Sequence, residues 1–219
     1  LIIVPEWDYL EPAFREELLA YVRDGGNLLV IGPKAAALFA DELQVTLGEM
    51  QEDVIHWLEY NNWLAAMKTP MQTVQLGKGA RPFGKLYREN DNIGPYDVAA
   101  SIAPYGKGQI AATYLNLGER YLHAQNSVAR DFLSGLVREL FADPIVTVTG
   151  SHQVDVAVNR LNGKLTVHLV NTAGPHANPN VYVFDDIPAV GPLEVTIRMD
   201  EEPRFVTLQP AGRKLPFTY

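Results

Sequence analysis

The fold of this chain is decided by residues 1–39, which read LIIVPEWDYLEPAFREELLAYVRDGGNLLVIGPKAAALF. Residues 1–4 form an apolar, β-branched run, which is typical of a strand buried on both faces. Apolar residues then recur every three or four positions, and this spacing predicts an amphipathic helix along Leu10, Phe14, Leu18, Tyr21 and Val22. Gly25 and Gly26 end that helix, and residues 28–31 form a second apolar strand.

A strand–helix–strand unit this short predicts two parallel strands joined by a right-handed crossover. Pro33 is placed to begin a second helix, because its missing N–H costs nothing in a first helical turn. The pattern therefore predicts an α/β fold in which an open, mostly parallel sheet is flanked by helices.

Weaker signals follow up to residue 143. Residues 54–67 have helix-like or mixed spacing, whereas residues 71–76 and 83–87 resemble short strands. Two further strands flank the turn YGKG at residues 105–108, which predicts a hairpin. A long helix is expected from about residue 125 to residue 141, where Asp-Pro ends it.

After Pro144 the pattern changes to short strands only, about ten residues apart and separated by Gly, Pro and Asn. This spacing predicts a small antiparallel β-sandwich, with strands near residues 145–148, 154–159, 165–171, 181–184, 193–199, 204–208 and 214–217. The pair Asn162–Gly163 favours a primed turn, which sets Val158 opposite Val167. We therefore expect two domains, residues 1–143 and residues 144–219.

Composition limits the partners and the chemistry. A net charge of −8 argues against nucleic acid and anionic membranes, which attract basic patches. The absence of Cys excludes disulfides, thiolate zinc sites and a cysteine nucleophile. No nucleotide-binding, zinc-protease or serine-hydrolase motif is present, so we expect no cofactor, no metal and no catalytic residue. No signal peptide opens the chain, which favours the cytoplasm without deciding the compartment.

Three residues form the candidate ligand site. Glu6 and Asp8 follow the first strand, and Lys34 lies in the turn after the second. Ligands of open α/β sheets bind beyond the carboxyl ends of the strands, so a sugar or another small ligand could bind here. The alternative is that the acids only complement a helix dipole.

Other clusters leave their roles open. Trp57, Tyr60 and Trp63 could form a sugar-stacking platform, an interface anchor or part of the core. His152, His168 and His176 lie near Asp155, where a metal site competes with ordinary hydrogen bonding of a half-exposed His. Carboxylates also cluster at Glu11, at Asp185 and Asp186, and at residues 200–202, which fit a solvated turn. Acids of this chain could serve a glycosidase only if two faced each other across a cleft.

Several stretches resemble one known family. PEWDYLEPAFREELLAYVRDGGNLLVIGP, GKGQIAATYLNLG and VHLVN followed by RFVTLQPAGRKL are similar to the C-terminal region of multidomain glycoside hydrolases. That region combines a class I glutamine amidotransferase-like domain, of amidotransferase/flavodoxin-like fold, with a small C-terminal β domain. In certain β-galactosidases the first of these is a trimerisation domain, and putative α-fucosidase-like hydrolases contain a corresponding one.

The resemblance implies a scaffold without its original chemistry. Amidotransferases carry a Cys nucleophile at the turn that here reads Gly32-Pro33-Lys34-Ala35, so glutamine hydrolysis by that route is excluded. The hydrolase family places its catalytic carboxylates on a (β/α)₈ barrel of about 250 residues, too long for this chain to contain as well. We therefore expect a C-terminal piece of a longer protein, lacking N-terminal strands of its first domain, with the barrel upstream.

Three functions remain open from the sequence. The first is a non-catalytic portion of a glycoside hydrolase that serves oligomerisation and supports the active site, with the upstream barrel and further copies as partners. The second is a free-standing module that binds a sugar or small ligand near Glu6, Asp8 and Lys34. The third is a glycosidase that uses carboxylates within this chain.

Overall fold

A computed structural model describes residues 1–52, 54–174 and 187–219 of the chain. The chain divides into two compact units, Leu1–Ala142 and Asp143–Tyr219. Within the described residues, no helix has the length and apolar character needed to cross a bilayer.

The first unit is built on a seven-stranded sheet with the order β1-β2-β9-β8-β7-β4-β5, beside a two-stranded sheet of β3 and β6. Its elements in chain order are β1 (Ile2–Val4), α1 (Pro12–Arg23), β2 (Asn27–Ile31), α2 (Pro33–Ala37), β3 (Val45–Gln51), β4 (Ile55–Tyr60), β5 (Trp63–Lys68), β6 (Met71–Leu76), β7 (Arg81–Tyr87), β8 (Asp97–Tyr105), β9 (Gly108–Thr113), α3 (Leu117–His123) and α4 (Ser127–Leu140).

The predicted fold class is wrong. Only β1, β2 and β9 run parallel, as predicted for the first two, whereas β9, β8, β7, β4 and β5 pair antiparallel along the rest of the sheet. Strands outnumber helices, and the sheet is mixed and mostly antiparallel. Two consecutive strands can pair in parallel only if a long crossover connects them. Several of the later strands are joined by short turns, which permit only antiparallel pairing.

Residues 54–67 have helix-like or mixed spacing in the sequence but a different structure. They form the hairpin β4–β5 and no helix, with Tyr60 opposite Trp63 across the turn. Asn61 and Asn62 both have positive φ, which is the conformation of a primed two-residue turn. Aromatic residues spaced by three mimicked a helical stripe, and Asn-Asn is a weaker turn signal than Asn-Gly.

Two hydrophobic clusters hold the first unit together. Successive side chains of a strand point to opposite faces of the sheet. Adjacent residues of the central strands therefore belong to different clusters. Leu29 and Ala111 join the cluster that contains α4, whereas Leu28 and Ile110 join the one that contains α1 and α2. The long helix was predicted correctly, and the Asn126 side chain caps it by accepting from Ala129 N at 2.8 Å.

The second unit consists, among its described residues, of three antiparallel pairs. They join β10 (Val146–Thr149) to β13 (Glu194–Ile197), β11 (Val154–Leu161) to β12 (Lys164–Asn171), and β14 (Val206–Leu208) to β15 (Arg213–Leu215). The predicted hairpin register is confirmed, since Val158 lies opposite Val167. These pairs are three separate two-stranded sheets, so the β-sandwich stays a prediction, and the strand expected at residues 181–184 lies outside the described residues.

A histidine side chain is fully buried in the first unit. His56 lies in β4, with Nε2 2.8 Å from Gln51 Oε1. Burial lowers the pKa of His56; Asp97 opposes this shift, Arg88 adds to it, and the Val54 backbone opposes it. Among the described residues, Nδ1 of His56 is buried and has no hydrogen-bond partner.

We expect acid to destabilise the first unit through His56. A lowered folded pKa means that the unfolded chain binds the proton more readily. The free energy of unfolding is therefore highest above about pH 6.5, the ordinary pKa of a histidine. It decreases as the pH falls from there through the lower pKa of His56 in the folded chain. His56→Gln keeps a donor for Gln51 and cannot titrate in this range. Urea unfolding on both sides of pH ~6.5 should show a smaller loss in the variant than in the wild type; an equal loss would contradict this role.

Candidate functional site

A cleft opens where the parallel strands β1, β2 and β9 end. Its volume is about 480 Å³, and its lining residues are Pro5, Glu6, Ile31, Lys34, Pro70, Asn116, Gly118 and Glu119. Two of the three predicted ligand-binding residues, Glu6 and Lys34, therefore lie together in the cleft. Asp8 is exposed and does not line it. Ligand binding by these residues stays a prediction.

Glu6 is held by the turn that follows β2. Its Oε1 accepts a hydrogen bond from Lys34 N and its Oε2 accepts one from Ala35 N, each at 3.2 Å. These amides belong to the first turn of α2, whose own N-cap residue is Gly32 and has no side chain to cap with. Glu6 therefore caps α2 from the end of the neighbouring strand, a long-range role that helix-start patterns in sequence do not reveal.

The carboxyl group of Glu6 is also partly removed from water. Burial raises the pKa of Glu6, and the backbone N–H groups of Ala35 and Lys34, with the Lys34 charge, oppose the increase. The charge of Asp8 adds to it. Asp8 therefore acts on the electrostatics of Glu6 without lining the cleft.

Gly32 makes this arrangement possible. Its φ of +103° lies in a region that side-chain-bearing residues rarely adopt, and a Cβ there would overlap the Glu6 carboxyl. Gly32 N donates to Thr113 Oγ1 at 2.9 Å, and that hydroxyl donates to Leu115 O at 3.0 Å. The ends of β2 and β9 are thus tied together beneath the cleft.

The opposite wall comes from the start of α3, which the sequence did not single out. Asn116 Oδ1 accepts from Glu119 N at 3.3 Å, and Asn116 Nδ2 donates to Glu119 Oε2 at 2.8 Å. The cleft therefore presents two carboxylates, one ammonium and one amide. No Ser, Thr or His lies among its lining residues, so it offers hydrogen bonds to a polar ligand but no hydroxyl nucleophile with a histidine base.

The three predicted aromatic residues do not form one platform. Trp57 and Tyr60 point to opposite faces of β4, because they are three positions apart in a strand. Tyr60 packs against Phe83 and Phe132, with ring centroids 5.5 Å and 5.7 Å away. Trp63 shares the face of Tyr60 but is 73% exposed. Tyr60 thus packs in the core, and Trp57 is half-buried on the other face.

The described members of the predicted cluster in the second unit are His152, His168 and Asp155. His168 lies opposite Ala157, and both His168 and Asp155 are exposed. Across the described residues, no three His, Asp or Glu side chains come together as metal ligands. His176, Asp185 and Asp186 lie outside the described residues.

Comparison with known proteins finds likeness in structure alone. No protein-family model and no curated protein matches the chain. Among solved structures, GH42 β-galactosidases from G. stearothermophilus (16% identity, TM-score 0.57) and Bacillus circulans sp. alkalophilus (13%, 0.57) are similar over 78% of this chain. So is the β-galactosidase from Rahnella sp. R3 (16%, 0.54), also over 78%.

The similarity covers only part of those enzymes. This chain spans 26% of the G. stearothermophilus protein and 27% of each of the other two. At such low identity the likeness shows the fold and nothing finer. The chain thus has a glycoside hydrolase-related fold, which GH42 β-galactosidases contain as one part of a longer chain.

Proposed function

We propose that this chain is the non-catalytic C-terminal portion of a carbohydrate-active glycoside hydrolase, where it serves oligomerisation and supports the active site. The observation that carries the proposal is the coverage: the shared fold takes up 78% of this chain but about a quarter of the β-galactosidases. In this proposal residues 1–143 and 144–219 are separate domains, the first of trimerisation type, and the catalytic barrel belongs to the same protein.

The cleft supports a non-catalytic role. Both Glu6 carboxyl oxygens accept backbone hydrogen bonds from the turn after β2, so the side chain is already engaged. Glu119 is likewise bonded to Asn116. A glycosidase needs one carboxyl free to protonate the leaving group and another free to attack or to activate water. The acids of this cleft instead hold the α2 amides and the Asn116 side chain.

An exposed apolar surface supports assembly. Ile3, Trp7 and Tyr9, which we name the β1 surface, are large, exposed apolar residues in β1 and directly after it. Among the described residues β1 has β2 as its one neighbour, so its outer backbone groups are open to pairing. Exposed apolar residues of this size next to an unpaired strand edge are typical of protein interfaces.

Sedimentation velocity and activity assays test this proposal together. We expect the chain to form oligomers and to leave p-nitrophenyl β-galactoside intact. Changing Trp7 and Tyr9 to Ser should release monomers, whereas Trp63→Ser, at a still more exposed tryptophan outside the β1 surface, should not. A monomeric wild type at high concentration would contradict assembly. Hydrolysis that disappears in Glu119→Gln would contradict the non-catalytic role.

A second candidate function is a ligand-binding module at the cleft. It is favoured by the grouping of Lys34, Asn116 and Glu119 around a cavity that falls within the usual size of small-molecule sites, about 300–1,000 Å³. Equilibrium dialysis with small neutral sugars separates the two candidates. A module predicts binding that Lys34→Met weakens, and an assembly domain predicts oligomers without binding at the cleft.

A further inference from the structure

A second cavity, which we name the turn groove, lies at the other end of the sheet. It has a volume of about 250 Å³ and is formed by the end of β4, its turn, β7 and the loop before β8. The residues used below are Glu59, Asn61, Lys85 and Tyr96, all of which line it. None of them belongs to the cleft or to the β1 surface.

Two opposite charges face the turn groove without neutralising each other. Glu59 and Lys85 are directly opposite across β4 and β7, a position from which their side chains could meet. Each is instead drawn to another partner: Glu59 Oε1 accepts from Asn62 N at 2.9 Å, and Lys85 Nζ lies 5.2 Å from the Tyr96 ring centroid. In the part of the chain that the structure describes, neither takes part in an ion pair.

An aromatic wall and an amide complete the turn groove. Tyr96 is 50% exposed, and its ring is steadied by Tyr87, whose centroid is 5.9 Å away. Asn61 adds a side-chain amide from a turn position with φ of +53°, a conformation that Asn tolerates better than most residues. The turn groove thus offers an acceptor, a donor, a group that is both, and a half-exposed ring.

We propose that the turn groove binds one ring of a neutral sugar. Sugar hydroxyls both donate and accept hydrogen bonds, so a single ring can use Glu59, Asn61 and Lys85 together, while its C–H face lies against Tyr96. An anionic ligand would meet the Glu59 carboxylate, and a cationic ligand would meet the Lys85 ammonium. The volume, just below the range for drug-sized ligands, suits one ring better than a longer ligand.

Amide NMR shifts of the full chain test the proposal. Methyl β-galactoside and methyl β-glucoside serve as neutral probes, and glucuronic acid and glucosamine as charged ones. We expect the neutral sugars to shift amide signals at residues 59–61, 84–85 and 96, with millimolar affinity. Tyr96→Ala should weaken that binding about tenfold. Tyr9→Ala removes a comparably exposed tyrosine of the β1 surface and should leave binding unchanged.

Asn61→Gly provides a second variant, because glycine adopts positive φ without strain and only the amide is lost. It should weaken neutral-sugar binding as well. The proposal is overturned if no neutral sugar shifts the turn-groove signals, if the shifts fall at the cleft residues 6, 34 and 116 instead, or if a charged sugar binds more tightly. Because the oligomer and activity assays do not involve the turn groove, failure here is distinct from failure of the proposed function.

Discussion

Replacing Phe132 by alanine should lower the free energy of unfolding of the first unit by about 3–5 kcal/mol. Phe132 is fully buried on α4, and its ring lies 5.7 Å from that of Tyr60 and 5.3 Å from that of Phe83. The ring also fills the space left by Gly84, where a Cβ would overlap it. Deleting it leaves a cavity that a strand pair and a helix cannot easily close.

Urea unfolding, followed by far-ultraviolet circular dichroism, measures this loss. Phe141→Ala is the matched control, since Phe141 is the residue at the C-terminal cap of α4 and is 46% exposed. Its cost should stay near the ~0.5 kcal/mol typical of surface substitutions. If Phe132→Ala costs no more than Phe141→Ala, the Phe132 ring does not hold α4 against β4 and β7.

Gly32→Ala should have the second large effect, a loss of about 2–4 kcal/mol. One part is backbone strain, because φ at this position is +103°. The other part is the displaced Glu6 carboxyl, which would leave the amides of Lys34 and Ala35 without their acceptor. The effect should be seen in the same urea experiment, and it probes the candidate site directly.

Two further variants separate the two parts. Gly94 has a similar φ of +97° and open space where a Cβ would lie, so Gly94→Ala reports strain alone. In a Glu6→Ala background, Gly32→Ala should cost about 1 kcal/mol less than in the wild type, which is the coupling energy of the pair. Zero coupling, or a Gly94→Ala cost as large as that of Gly32→Ala, would show that Glu6 does not depend on Gly32.

Local patterns predicted the local structure well. Apolar runs placed β1 and β2, turn chemistry placed the β8–β9 and β11–β12 hairpins, and helical periodicity placed α4. These features depend on residues close together in the chain. The mostly parallel sheet was wrong because it extended one strand–helix–strand unit to strands whose short connections permit antiparallel pairing.

The candidate site was predicted only in part, for a related reason. The rule that ligands bind beyond strand ends identified Glu6 and Lys34, but it could not assign Glu6 to the α2 amides. Nor could it bring Asn116 and Glu119 to the same cleft, since they lie over 80 positions further along the chain. Their approach depends on β9 pairing beside β2, which no local signal encodes.

The sequence by itself determined β1, α1, β2 and α2 at the start of the first unit, and the β8–β9 hairpin and α4 near its end. It also determined that the turn at Gly32 holds no nucleophile. Only the tertiary structure decided the strand order, the mixture of parallel and antiparallel strands in the sheet, and the groups that Glu6 contacts. The physical reason is that periodicity and turn preferences act over a few residues. Pairing between strands that are far apart in the chain depends on which complete faces of the sheet become buried.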